Sequence, residues 1–282
     1  MESSQRAAKL ALVVIVGAAT LASGETRKEY RYTVGPKASV SVINQYGPIS
    51  VKPNGGNQVV VTAVLHSDKA EVDQRQNGNR LDIVSHLLPG ADADSGRVDY
   101  EVSVPADSSL TLHSSTGPIH VEKLHGDVTL EGASAAMDVH DISDAHVHVK
   151  TMNGPVTLGN IRDGHVEIAS VSGDITLSAV SGSYVEVSST SGKIRYDGDF
   201  GAGGRYSLSS HTGDIEAMAP AYASIDVVAR SVNGTVENDF PLQPEHTSFV
   251  VKAGSAFAGT LGKAASSVKL FTFSGKIHLK KR

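Results

Sequence analysis

From about residue 111 to the end of the chain, short runs of alternating apolar and polar residues recur two to a period, so each run predicts a β-strand with one face turned inward. The first run of each period follows a glycine, as in Ile119/Val121, Met137/Val139, Val156/Leu158, Ile175/Leu177, Ile194/Tyr196, Ile215/Ala217 and Ile277/Leu279. The second comes about ten residues later, as in Val128/Leu130, Val147/Val149, Val166/Ile168, Val185/Val187, Tyr206/Leu208, Ile225/Val227, Phe249/Val251 and Val268/Leu270. Between them stands a corner phrase: a small polar residue, Gly, any residue, then an apolar one. Its glycines are Gly117, Gly154, Gly173, Gly192, Gly213, Gly234 and Gly275, and degenerate copies sit at Ala135 and Gly254. The nine positions are separated by 18, 19, 19, 19, 21, 21, 20 and 21 residues. A period of that length predicts a solenoid whose coils bury their apolar faces only by stacking on one another. The expected fold is all-β, a single-chain parallel β-helix with about nine regular coils of 18–21 residues.

Glycine at each corner is expected either to turn with positive φ or to pass close to the neighbouring coil. The Ser, Thr or Asn just before it is expected to bond locally to the turn backbone. Residues 25–110 are strand-rich but out of register with the period, and are read as irregular first coils with an N-terminal cap. Within them, Tyr46-Gly47-Pro48-Ile49 repeats the corner phrase. Residues 111–282 form the regular solenoid, continuous with 25–110. Lys276, His278, Lys280, Lys281 and Arg282 are expected to blunt an exposed final edge.

Residues 1–24 read as a secretory signal peptide: Arg6 and Lys9, an apolar stretch from Leu10, then small residues, with cleavage after Ala22 or Gly24. The stretch is short for a membrane span, which needs about 20 residues, so no stable span is expected after cleavage. Glu25 stands where a lipoprotein would carry its cysteine. Cysteine is absent, which excludes thiol chemistry and Cys-ligated metals. The net charge is −5, and losing residues 1–24 removes Glu2, Arg6 and Lys9 to leave −6. No nucleic-acid partner is expected from that balance.

The strand Arg97-Val98-Asp99-Tyr100-Glu101-Val102-Ser103-Val104-Pro105, the segment Leu110–Gly117 and the serial Ser-Gly-Asp-Ile units resemble the bacterial DUF4097 family, labelled "putative adhesin". The resemblance covers about residues 35–280. It implies an exported parallel β-solenoid of the periplasm or cell surface and brings no catalytic residues or cofactor. This sequence departs from it at Ala135 and in its His-rich coils between 113 and 165.

Stacking by period lines up outward residues. His146, His148, His165 and Glu167 fall in a two-by-two patch whose donors suit Zn²⁺ or Cu²⁺, although with no tight ligand motif a solvated polar face is the preferred reading. Asp174, Lys193 and Asp214 form a charge-alternating ladder beside Arg195 and Glu216. Paired acids with a base serve acid–base chemistry in carbohydrate-active β-helices, while surface charge pairing explains the same pattern. Asp92-Ala93-Asp94-Ser95-Gly96 lacks the third acid and closing Glu of a calcium loop. The expectation is a non-enzymatic envelope scaffold with a protein or polysaccharide partner. The alternatives are a carbohydrate-active or carbohydrate-binding β-helix using the ladder, and a metal-binding envelope protein using the His patch.

Overall fold

A computed structural model describes residues 24–244 and 255–282. The expected signal segment, Gly24 excepted, lies outside the described residues, as do Phe249, Val251, Ala253 and Gly254. Among the described residues there are only strands. At the N-terminal end lie β1 (Thr26–Thr33), β2 (Ser39–Asn44), β3 (Ile49–Asn54), β4 (Gln58–Leu65), β5 (Ala70–Asn77), β6 (Arg80–Leu87) and β7 (Val98–Pro105). The body holds β8 (Ser109–Ser114), β9 (Ile119–Glu122), β10 (Val128–Gly132), β11 (Met137–Ser143), β12 (His146–Thr151) and β13 (Val156–Arg162). It continues with β14 (His165–Ser170), β15 (Ile175–Val180), β16 (Tyr184–Ser189), β17 (Ile194–Gly198), β18 (Arg205–Ser210) and β19 (Ile215–Ala219). The far end has β20 (Ile225–Ser231), β21 (Val236–Asn238), β22 (Gln243–Pro244), β23 (Ala256–Leu261), β24 (Ser266–Thr272) and β25 (Ile277–Lys281).

The strands form two sheets of 12 and 13. At about 4.8 Å per rung, the rod is about 50 Å long. In the body, β9-β11-β13-β15-β17-β19 run parallel in the first sheet and β8-β10-β12-β14-β16-β18 in the second. The inward columns are as the alternation predicts. Ile119, Met137, Val156, Ile175, Ile194, Ile215 and Ile277 are buried in one, and Val128, Val147, Val166, Val185, Tyr206 and Val268 in the other. Each fully buried aliphatic side chain contributes about 1.5–3 kcal/mol over an exposed one.

The corner glycines are needed for close approach and not for backbone conformation. Of those that stack here, only Gly47 has positive φ, at 100°. A Cβ on Gly192 would meet the carbonyl oxygen of Gly173 far inside contact distance, and the same holds for Gly213 on Gly192, Gly275 on Gly213 and Gly117 on Gly47. That last pair makes Tyr46–Ile49 a true coil corner.

The local turn bond comes from a different residue than expected. Ser114, Thr151, Ser170, Ser189, Ser210, Ser231 and Thr272, each three before a corner glycine, form a buried polar column. Gly192 N donates to Ser189 Oγ (2.8 Å), Gly213 N to Ser210 Oγ (2.9 Å) and Gly275 N to Thr272 Oγ1 (3.1 Å), while Ser114 Oγ donates to Gly117 O (2.7 Å). The residues just before the glycine reach across to the next coil instead, as Ser191 Oγ does to Val171 O (3.3 Å). Where Ala135 replaces a corner glycine, Gly132 occupies the hydroxyl position, and a Cβ there would meet the Met137 methyl at 2.7 Å.

The ends are threaded out of sequence order. Strand β25 lies between β19 and β21, and β24 between β18 and β20. At the other end, β3 lies between β7 and β9, and β2 between β6 and β8. The expectation that β25 is a charged outer edge is therefore overturned: it is paired on both sides. Antiparallel strands close the ends, with β4 on β7, β1 on β4, β5 on β6, β23 on β20 and β22 on β23.

At the far end the threading separates two like charges. Stacked in sequence order, Glu216 and Glu237 would face each other, since both share the register of His278. Like charges directly opposite are destabilising. With β25 between them, the column reads Arg195–Glu216–His278–Glu237.

Candidate functional site

The Asp174/Lys193/Asp214 ladder sits just after the corner glycines on the first sheet. Its carboxylates accept backbone protons from the next rung: Asp174 Oδ1 from Lys193 N (2.9 Å) and Asp214 Oδ1 from Lys276 N (2.7 Å). The inserted strand thus extends the ladder to Asp174–Lys193–Asp214–Lys276. Beside it, Glu216 is nearly buried, with Lys280 Nζ at 2.7 Å and Arg195 Nη1 at 2.9 Å. The Lys280 hydrogen bond holds the Glu216 carboxyl below the usual carboxylate range, against the upward push of burial. The hydrogen bond from Lys276 lowers Glu237, and that from His278 lowers Asp239. Depressed carboxyls suit ion pairing and oppose the proton donation a general acid needs at neutral pH.

On the second sheet, parallel registry brings the four His-patch residues together along columns. His146 Nε2 lies 3.1 Å from His165 Nδ1, their rings 4.8 Å apart, so one imidazole donates and the other accepts. His148 Nδ1 lies 3.2 Å from Glu167 Oε2. The first column continues to Asp127, which accepts from His146 N (2.9 Å), and to Tyr184, whose ring is 5.9 Å from that of His165. The geometry gives two bonded pairs. Among the described residues, no three His, Asp or Glu side chains converge to hold a metal ion.

A third cluster went unseen in the sequence. Asp138 bridges two imidazoles on the first sheet, with Oδ2 2.9 Å from His120 Nδ1 and Oδ1 2.5 Å from His140 Nε2. The His140 ring fills the space where Gly159, its register partner, lacks a side chain. The 18-residue step from 120 to 138 and the strand spacing from 138 to 140 were the available signal. Asp92 acts as a turn cap, its Oδ1 accepting from Ser95 N (2.8 Å) and Ser95 Oγ (2.6 Å). Where the corner column meets solvent, His211 and Phe273 stack at 4.9 Å with planes 9° apart.

The sequence model of the Toastrack DUF4097 family matches residues 40–280. Three solved structures share low identity with the chain. One, from Clostridium sporogenes and described as a "putative cell adhesion protein", is 12% identical with a TM-score of 0.26, over 91% of this chain and 100% of that one. A "putative adhesin" from Bacteroides fragilis is 11% identical with a TM-score of 0.36, over 90% and 97%. Another from Parabacteroides merdae is 10% identical with a TM-score of 0.32, over 90% and 96%. No curated protein matches.

Proposed function

This chain belongs to the Toastrack DUF4097 family, and on that premise we propose that it is an exported, non-enzymatic β-solenoid of the bacterial cell envelope that holds a ligand on a flat ladder face. One observation carries the non-enzymatic part. The candidate acids are tied to the rungs beside them, Asp174 and Asp214 to backbone N–H groups and Glu216 to Lys280 and Arg195. Carboxylates so engaged hold the coils in register. The positively charged, apolar and small-residue order of residues 1–24 supports export.

The test has two arms. Fractionation of cells producing the full chain should find it outside the cytoplasm, shortened at its N-terminus. A screen of neutral and acidic glycans should yield no new reducing ends or unsaturated products. Turnover by the parent that Asp174→Asn/Asp214→Asn abolishes would replace this reading with a carbohydrate-active one. The bonded His146–His165 pair supports a second reading, a metal-binding envelope protein. Stoichiometric metal in the purified protein, lost in His146→Ala/His165→Ala, would establish it.

A further inference from the structure

The outer face of the second sheet carries a shallow trough of about 340 Å³ lined by Tyr184, Glu186, Arg205, Ser207, Ser267 and Lys269. Registry builds it. Tyr184 pairs with Arg205, and Arg205 with Ser267; Glu186 pairs with Ser207, and Ser207 with Lys269. Arg205 and Lys269 thus stand on a diagonal across two serine hydroxyls, about 8 Å apart at the backbone from the rung and strand spacings. Both are exposed, and neither is in an ion pair among the described residues. Glu186, on the diagonal from Arg205, is engaged by the Tyr184 hydroxyl, and Asp226 stands on the diagonal from Lys269.

We propose that this trough binds an acidic oligosaccharide, a uronate carboxylate seating between Arg205 and Lys269 while a pyranose ring packs on Tyr184. Two cations facing a common hydroxyl floor suit one carboxylate group. The serines and Glu186 offer partners for sugar hydroxyls, and the half-buried Tyr184 ring offers a flat apolar surface. The trough also continues in both directions. It shares Glu186 with a depression of about 230 Å³ beside His148 and Glu167, and Arg205 and Ser267 with one of about 260 Å³ beside Asp226 and Gly203. A chain of three shallow depressions along the rod suits a polymer better than a single small anion. A single Arg205–Lys269 pair serves one carboxylate, whereas a nucleic-acid backbone calls for a run of basic residues that this face lacks. The inference rests on reading the rod as a binding scaffold.

The test is titration of the mature chain with trigalacturonate, maltotriose and a short oligothymidylate at several salt concentrations. Trigalacturonate should bind, with affinity falling as salt rises. Arg205→Gln/Lys269→Gln should weaken it at least about tenfold, since charge-assisted bonds are the strong ones, while circular dichroism stays that of the parent. Tyr184→Leu should weaken it several-fold and leave the salt dependence unchanged. Maltotriose and oligothymidylate should bind more weakly than trigalacturonate. The proposal is overturned if trigalacturonate does not bind, if the double variant keeps parental affinity, or if either of the other probes binds as well. Cleavage of trigalacturonate, read separately by product analysis, would overturn the non-enzymatic reading and leave the binding result standing.

Discussion

Replacing Gly192 by alanine tests the close approach between neighbouring coil corners. The added methyl points at the Gly173 carbonyl oxygen and comes within 3.0 Å of Ser189 Oγ, in a turn whose φ is not positive. Its neighbours are backbone and a buried hydroxyl, so neither swings aside. Overpacking costs about 1–3 kcal/mol, and misaligning the bond from Gly192 N to Ser189 Oγ adds about 1 kcal/mol. The expected loss is about 2–4 kcal/mol, or roughly 4–8 °C in Tm at about 2 °C per kcal/mol for a domain of this size. Gly203→Ala is the control: φ is +77° and nothing lies within 4 Å, so it adds strain without collision and should cost about 1 kcal/mol. Urea denaturation measures both, with the midpoint reporting stability while the slope holds. A Gly192→Ala loss below about 0.5 kcal/mol, or one smaller than that of Gly203→Ala, would refute close approach as the reason for glycine at the corner.

Ser210→Ala should cost about 1–3 kcal/mol by leaving the buried Gly213 N–H unpaired, whereas Ser209→Ala, one residue along, should stay within about 0.5 kcal/mol in the same denaturation assay. Val166→Asp places a charge in the fully buried column and should abolish the cooperative melt, while His165→Ala on the exposed face should leave it nearly unchanged. Glu216 adds a pH dependence. Its folded carboxyl is depressed by Lys280, so the stability it contributes is complete above the unfolded value of about 4.3 and is lost as pH falls through the lower folded value. Thermal melts between pH 5 and pH 3, read at about half-unit steps, should therefore fall more steeply for the parent than for Glu216→Gln, and parallel curves would dismiss the ion pair as a stabiliser.

The stacking period and the inward columns were legible in the sequence because both follow from local spacing. Ile175, Ile194 and Ile215 stack as their positions after the glycine require. The turn chemistry was legible only in part. A hydroxyl three residues before the glycine points inward by strand parity and is held under the corner, while the residue just before it faces the next coil. Spacing is also blind to which coil lies above which, since a coil of this length fits either neighbour. At the far end His278 stands between Glu216 and Glu237, a cross-rung relation that spacing does not reveal. The His120–Asp138–His140 bridge was hidden for a similar reason: it spans two rungs, and each residue alone reads as a solvated strand position.

The insertion of β24 and β25 has a consequence in time. A ribosome releases β20 and β21 before the coil that belongs beneath them exists. For a chain that folds after export, the interval that matters is the one before β24 and β25 fold back between their neighbours. During that interval β18 and β19 offer open edges, and the coil that comes next in sequence brings Glu237 against Glu216. Insertion of β25 replaces that like-charge pairing with His278 facing both carboxylates. Without β25, the facing edges of β19 and β21 lose the strand that pairs with both, and exposed strand backbone invites pairing with other chains.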